Sequence, residues 1–233
     1  MNLLKIVQTL ASEVGATPQN TTLNATGEWL RLTNWCIQSW VEIQEELPEA
    51  EWMRNPVVFN TIANQGEYAP ASTVFSTPAG TGLANFGMWR KKSFRIYLTS
   101  AGVGTEWLLG YKDYSPFRDF YLLSSRKLTY ARPTEITISP TKSLILGLAP
   151  NDIYTVSGEY YIDPQVLALD ADIPTAAFPT RYHYAIVYRA MMKYGAFESA
   201  SEVYSRGKEE LRTMMNKIRM NQLPVMQRGA SLI

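Results

Sequence analysis

The chain has 233 residues, 46% of them hydrophobic and 18% charged, with 22 Lys and Arg against 21 Asp and Glu. That length and apolar content describe a globular protein of one domain, or of one domain carrying an insertion. The near-neutral balance excludes a disordered charged tail and a polybasic nucleic-acid coat.

In chain order, the first helix is predicted over residues 3–14. Leu3, Ile6, Val7, Leu10, Ala11 and Val14 recur at helical spacing, with Asn2 placed to cap the start and Gly15 to end it. A polar loop, residues 16–23, follows. The second helix runs from Asn24 or Thr26 to Leu47, with Pro48 just beyond. Trp29, Leu32, Cys36, Trp40, Ile43 and Leu47 form one apolar stripe, and Leu30, Ile37 and Val41 an adjacent one. The apolar surface is therefore wider than a single partner helix covers.

The period then changes from 3.6 to 2. Residues 57–62 read as a strand closed by Asn64-Gln65-Gly66, residues 70–88 as a surface loop, and Phe94, Ile96 and Leu98 as the inward side of a further strand. Ser115 before Pro116 reads as the cap and first residue of a short helix through Phe117, Phe120 and Tyr121. Residues 134–162 read as a three-stranded antiparallel meander, with Ile136 and Ile138, then Leu144, Leu146 and Leu148, then Tyr154, Val156, Tyr160 and Ile162 sharing faces.

After a proline-containing loop, residues 163–179, Thr180 caps a helix carrying Ala185, Tyr188, Met191 and Met192 down to Gly195. Ser199 and Glu202 have capping-box spacing and open the last helix, apolar at Val203, Leu211, Met214, Met215 and Ile218. The small residues Gly195 and Ala200 allow a helical hairpin. The expected fold class is α+β: a four-helix unit built from both chain ends (1–54 and 180–221), an antiparallel β-rich insertion (55–179) and a C-terminal tail (222–233).

Composition also removes chemistries. The single Cys36 excludes an internal disulfide and Cys-rich metal sites, and the single His183 excludes multi-histidine centres. Cys36 reads as a small buried residue and His183 as a helix residue packed among tyrosines. No Gly-rich phosphate-binding pattern occurs, and no run approaches the roughly 20 apolar residues of a membrane helix. The apolar start of the chain is broken by Gln8, Thr9, Ser12 and Glu13 before a secretory core forms, so the chain is expected to be made and kept in a reducing cytoplasm. The carboxylate pairs Glu45/Glu46, Asp113/Asp119 and Asp170/Asp172 read as a solvated helix end and turn supports. No catalytic residue, metal or cofactor is expected. Beyond Val203, six basic residues face two acidic ones, which makes Arg212, Lys217 and Arg219 a candidate face towards a channel or an acidic partner. A net charge of +1 suits a surface past which DNA moves without sticking.

Several segments together resemble the head-to-tail adaptor (connector) proteins of tailed bacteriophages: Thr26-Gly27-Glu28, the Trp29–Ile43 helix, the Phe94–Thr99 strand, Arg132-Pro133-Thr134-Glu135, residues 154–160 and the Tyr184–Met215 hairpin. The resemblance extends from Leu3 to Met226. It implies a virion structural protein and not an enzyme. Such proteins form a dodecameric ring under the portal protein, extend the channel for double-stranded DNA and offer a platform to a tail or nozzle protein. A ring is a head-to-tail interface and needs two different sticky patches per copy; the wide face of the second helix and the aromatic β insertion are the candidates. The candidate portal contact is Gln222, Leu223, Pro224, Val225 and Met226. Ordering it costs about 1–2 kcal/mol per residue, and burying its three apolar side chains returns roughly 1.5–3 kcal/mol each, so one copy nearly breaks even and a ring of copies binds as a set. The alternatives are a tail-tube or tail-completion ring protein, a carbohydrate- or ligand-binding module using Trp107 as a platform, and a two-carboxylate enzyme.

Overall fold

The computed structural model describes residues 1–75, 82–175 and 177–222. The fold is mixed α+β, and its contacts divide the chain into two compact units, Met1–Met53 with Pro164–Ile233, and Arg54–Asp163.

The first unit is helical. α1 (Leu3–Val14) is capped as its sequence dictates: the Asn2 side chain accepts from Lys5 N at 3.0 Å, and Gly15 closes the helix at φ 76°, a left-handed conformation that favours glycine. α2 (Gly27–Glu46) buries the Trp29, Leu32, Cys36, Trp40 and Ile43 stripe. α4 (Tyr184–Phe197) packs against α1, α2 and α5 (Ser201–Gln222). At the α4–α5 crossing both helices present glycine: a Cβ on Gly195 would sit 2.7 Å from Tyr204 N, and one on Gly207 2.9 Å from the Tyr188 carbonyl. α4 starts later than the sequence suggested, because residues 180–182 form a 3-10 turn and His183 is its cap.

Residues 164–175 and 177–179 sit with the helices, although the sequence assigned them to the β insertion. Several contacts hold them there, among them the following two. Gln44 and Gln165 exchange bonds, Gln165 N donating to Gln44 Oε1 at 2.8 Å and Gln44 Nε2 to the Gln165 carbonyl at 3.0 Å. Phe178 inserts between Trp40 and Trp52, 4.9 Å from each ring.

The second unit holds two sheets. In the first, β9 (Tyr154–Ile162) is central. It pairs with β1 (Arg54–Asn60) along its length, with β4 (Arg95–Leu98) at its start and with β3 (Phe86–Trp89) at its end; β5 (Trp107–Leu108) pairs with β4. The second runs β2 (Glu67–Tyr68), β8 (Leu144–Leu146), β7 (Glu135–Ile138), β6 (Gly110–Tyr111), with β6 and β7 parallel. Both sheets bury side chains in one aromatic core, where Phe59, Phe75, Trp89 and Phe94 touch in sequence at 4.7–5.7 Å.

Three expectations are corrected here. The 134–162 meander does not form: β7 and β8 make a hairpin, but β9 crosses to the other sheet. Alternation fixes which face of a strand is buried and leaves its neighbour open, and β9, buried on both faces, requires a central place. The 70–88 stretch is not wholly loop, since it contains β3 and sends Phe75 and Leu83 into the core; residues 76–81 lie outside the described residues. In the short helix α3 (Tyr114–Tyr121) Asp113, not Ser115, stands at the N-cap position, without a side-chain capping bond, so Pro116 is its third residue, where its missing N–H is still not needed.

Candidate partner-binding surfaces

Side chains that could carry chemistry are occupied by structural work. Among the described residues no cluster of His, Cys, Asp or Glu could hold a metal ion. Cys36 is fully buried, which pushes its thiol well above the ordinary range. His183 stacks on Phe178 at 5.6 Å with rings nearly parallel, and its Nδ1 takes the Met1 amine at 2.7 Å. Burial, and then the positive amino terminus, hold its pKa below the usual value.

The paired carboxylates are staples. Asp170 accepts from Thr21 Oγ1 at 2.6 Å and from Thr22, and these bonds hold its pKa low. Asp172 accepts from Leu169 N at 2.8 Å and Ala168 N at 2.7 Å, with the same effect. Asp119 pairs with Arg118, and Asp113 stands at the start of α3. Glu46 takes Arg189 at 2.6 Å and Arg219, while Glu42 takes Lys193 at 2.6 Å, so this side of α2 is tied to α4 and α5. Glu45, the other half of its pair, is exposed and has no ion pair among the described residues.

The basic helix is less of a surface than its sequence suggests. Arg212 and Arg219 are seven residues apart and share a stripe of α5 with Lys208, but Lys217 points about 140° away on a helix of 3.6 residues per turn. Arg219 is already paired with Glu46, and Arg206 with Glu13 at 2.8 Å. Of the tail, Gln222 is buried in the last turn of α5, and Leu223, Pro224, Val225 and Met226 lie outside the described residues.

Trp107 is not an open platform either. The Arg132 guanidinium lies 3.1 Å from its ring centre, its indole N–H donates to the Pro133 carbonyl at 3.1 Å, and Tyr154 meets its edge. The Arg132-Pro133-Thr134-Glu135 run is thus a fastening: two residues clasp Trp107, and Glu135 pairs with Lys112 at 2.8 Å.

Three exposed surfaces carry apolar side chains at neighbouring positions. On α2 the second stripe, Leu30, Ile37 and Val41, remains partly exposed. On the first sheet Val58, Ser157, Arg95 and Leu108 are register neighbours across four strands, and Val58 (60%) and Leu108 (62%) stand open to solvent. Arg90, Lys92, Arg95, Glu106 and Glu159 surround them in a shallow concavity. The third surface is an arm, residues 114–130, that buries Phe117 but exposes Phe120, Leu123 (65%), Leu128 (72%) and Tyr130. Arg126 caps the Phe120 ring at 3.9 Å. The sequence signalled the α2 stripe. It signalled Val58 only through alternation with the inward Val57 and Phe59, and Leu123 and Leu128 not at all, because the arm has no regular period.

Comparison with known proteins follows the same direction. A family model described as SU10 adaptor protein matches residues 1–230. No curated protein matches the chain.

Proposed function

The chain belongs to the SU10 adaptor protein family, and from that premise we propose that this virion structural adaptor forms a dodecameric ring under the portal protein and extends the DNA channel towards the tail. The family match over nearly the whole chain carries the reading. Three further features support it: apolar surfaces uncovered on both units, His183, Asp170 and Asp172 committed to packing and turns, and a basic helix with few free cations. A closed ring of one chain uses two unlike surfaces per copy, and the third remains for a tail or nozzle protein. The C-terminal run from Gln222 to Met226 contacts the portal, each copy weakly and the set firmly. Double-stranded DNA passes through without specific binding.

The test is assembly. The chain is mixed with the portal protein of its own phage and followed by light scattering and electron microscopy. The expected product is a stack in which twelve copies ring the portal base; deleting residues 222–233 should leave the chain folded and abolish that docking. A chain that stays monomeric beside an intact portal ring, or a truncated chain that docks as well as the full one, overturns the corresponding part of the reading.

A further inference from the structure

We infer that the ring contact is helix on sheet: the Leu30, Ile37 and Val41 stripe of α2 in one copy lies across the Val58–Leu108 face of the first sheet in the next. The inference rests on the ring reading above and names the surfaces that make the ring.

Three observations point to a second copy as the occupant. Both faces expose apolar side chains among the described residues: Leu30 on the helix, with Ile37 and Val41 half-buried beside it, and Val58 and Leu108 on the two outer strands of the sheet row. Their shapes suit each other, because a 20-residue helix spans about 30 Å and four paired strands present a face about 15 Å across at some 4.8 Å per gap; a helix laid on a sheet is a standard way to bury both. Their charges are opposite. Beyond the α2 stripe, Glu45, Glu49 and Glu51 are exposed and without ion pairs among the described residues. Around the sheet face Glu159 pairs with Arg54 and Arg90, and Glu106 with Arg95 at 3.6 Å, so the cations are in excess and Lys92 has no ion pair among the described residues. The same division holds for whole units: residues 54–163 carry eleven Lys and Arg against eight Asp and Glu, whereas the rest carries eleven against thirteen.

A contact between unlike faces leaves a pair with one helix face and one sheet face still open, so it propagates instead of stopping at a dimer, and it makes a ring where the rotation between copies closes, as a portal ring beneath them would impose. Exposed charges of this kind steer and align more than they bind, so the apolar side chains hold the contact and Glu45 and Lys92 fix its direction.

Assembly of the full chain on its portal, read by light scattering and by electron microscopy of the stacks, tests the inference. Val58→Asp and Ile37→Asp should each block ring formation while keeping the wild-type circular dichroism spectrum; if either unfolds, Leu108→Ser or Leu30→Ser replaces it. Glu45→Lys or Lys92→Glu alone should raise the concentration for half-assembly by about fivefold, and the double reversal should restore it. Leu128→Asp, on the arm, should leave the ring unchanged. Rings that form normally from folded Val58→Asp and Ile37→Asp overturn this contact and leave the ring reading standing. Absence of rings from the wild-type chain overturns both.

Discussion

Gly195→Ala sets two known effects against each other. In an exposed helix the change is favourable by about 0.8–1.0 kcal/mol, since glycine is the poorer helix former. Here the added Cβ would lie 2.7 Å from Tyr204 N, 2.9 Å from Tyr204 Cβ and 3.0 Å from the Ala200 carbonyl. Tyr204 N donates to that carbonyl, so the methyl intrudes on the first turn of α5, where backbone cannot move aside as a side-chain tip would. Overpacking of this kind costs about 1–3 kcal/mol. Because the obstacle is backbone, the upper part of that range, about 2–3 kcal/mol, applies, and the net expectation is a loss of about 1–2 kcal/mol, or roughly 2–8 °C in Tm for a chain of this size. Thermal unfolding followed at the helical band of circular dichroism measures it. Gly104→Ala is the control: no atom lies within 4 Å of its Cβ, so its Tm should be unchanged or slightly raised. A Gly195→Ala protein as stable as wild type would refute the close helix crossing and return the position to ordinary helix propensity.

Two buried groups give further predictions. Folding lowers the His183 pKa, so the unfolded chain takes up the proton first as pH falls; stability is complete above about 6.5, the ordinary value, and declines as pH drops towards the folded value. His183→Gln should flatten the fall in Tm between pH 7 and pH 5 seen by calorimetry, and equal slopes in both proteins would contradict the assignment. The Cys36 thiol, buried and held protonated, should ignore a thiol reagent at pH 8 in the native chain and react as one equivalent in denaturant.

How far the sequence could be read depended on whether a signal was local. The caps Asn2 and Gly15 and the stripe of α2 are local, and they foretold the helices closely. β9 was legible as a strand but not as the centre of a sheet, because its partners β1, β3 and β4 come from three distant segments. The two-residue strands β2, β5 and β6 are too short to leave a period. Residues 164–179 looked like insertion because their ties, Gln165 to Gln44 and Phe178 to Trp40, join positions more than 100 apart. The same limit governs the surfaces: the Leu30, Ile37 and Val41 stripe could be read from spacing, whereas the exposure of Leu123 and Leu128 follows only from what the arm fails to cover.

Arg219 shows how this limit changes a functional estimate. The sequence counts six cations from Val203 onward against two acids, which suggests a handle for an acidic partner. Glu46 and Glu13 lie far away in the chain, yet they take Arg219 and Arg206. That leaves Lys208 and Arg212 on one stripe and Lys217 well round the helix, with Arg228 outside the described residues. A duplex running along α5 would meet two free cations per copy, and at about −0.9 per neutralised phosphate each copy would contribute a salt slope of only about −1.8. Glu209 beside that stripe reduces it further. α5 therefore offers each copy two free cations on that stripe where the sequence counts six, and in a ring it is the number of copies facing the duplex, not the helix alone, that sets the total.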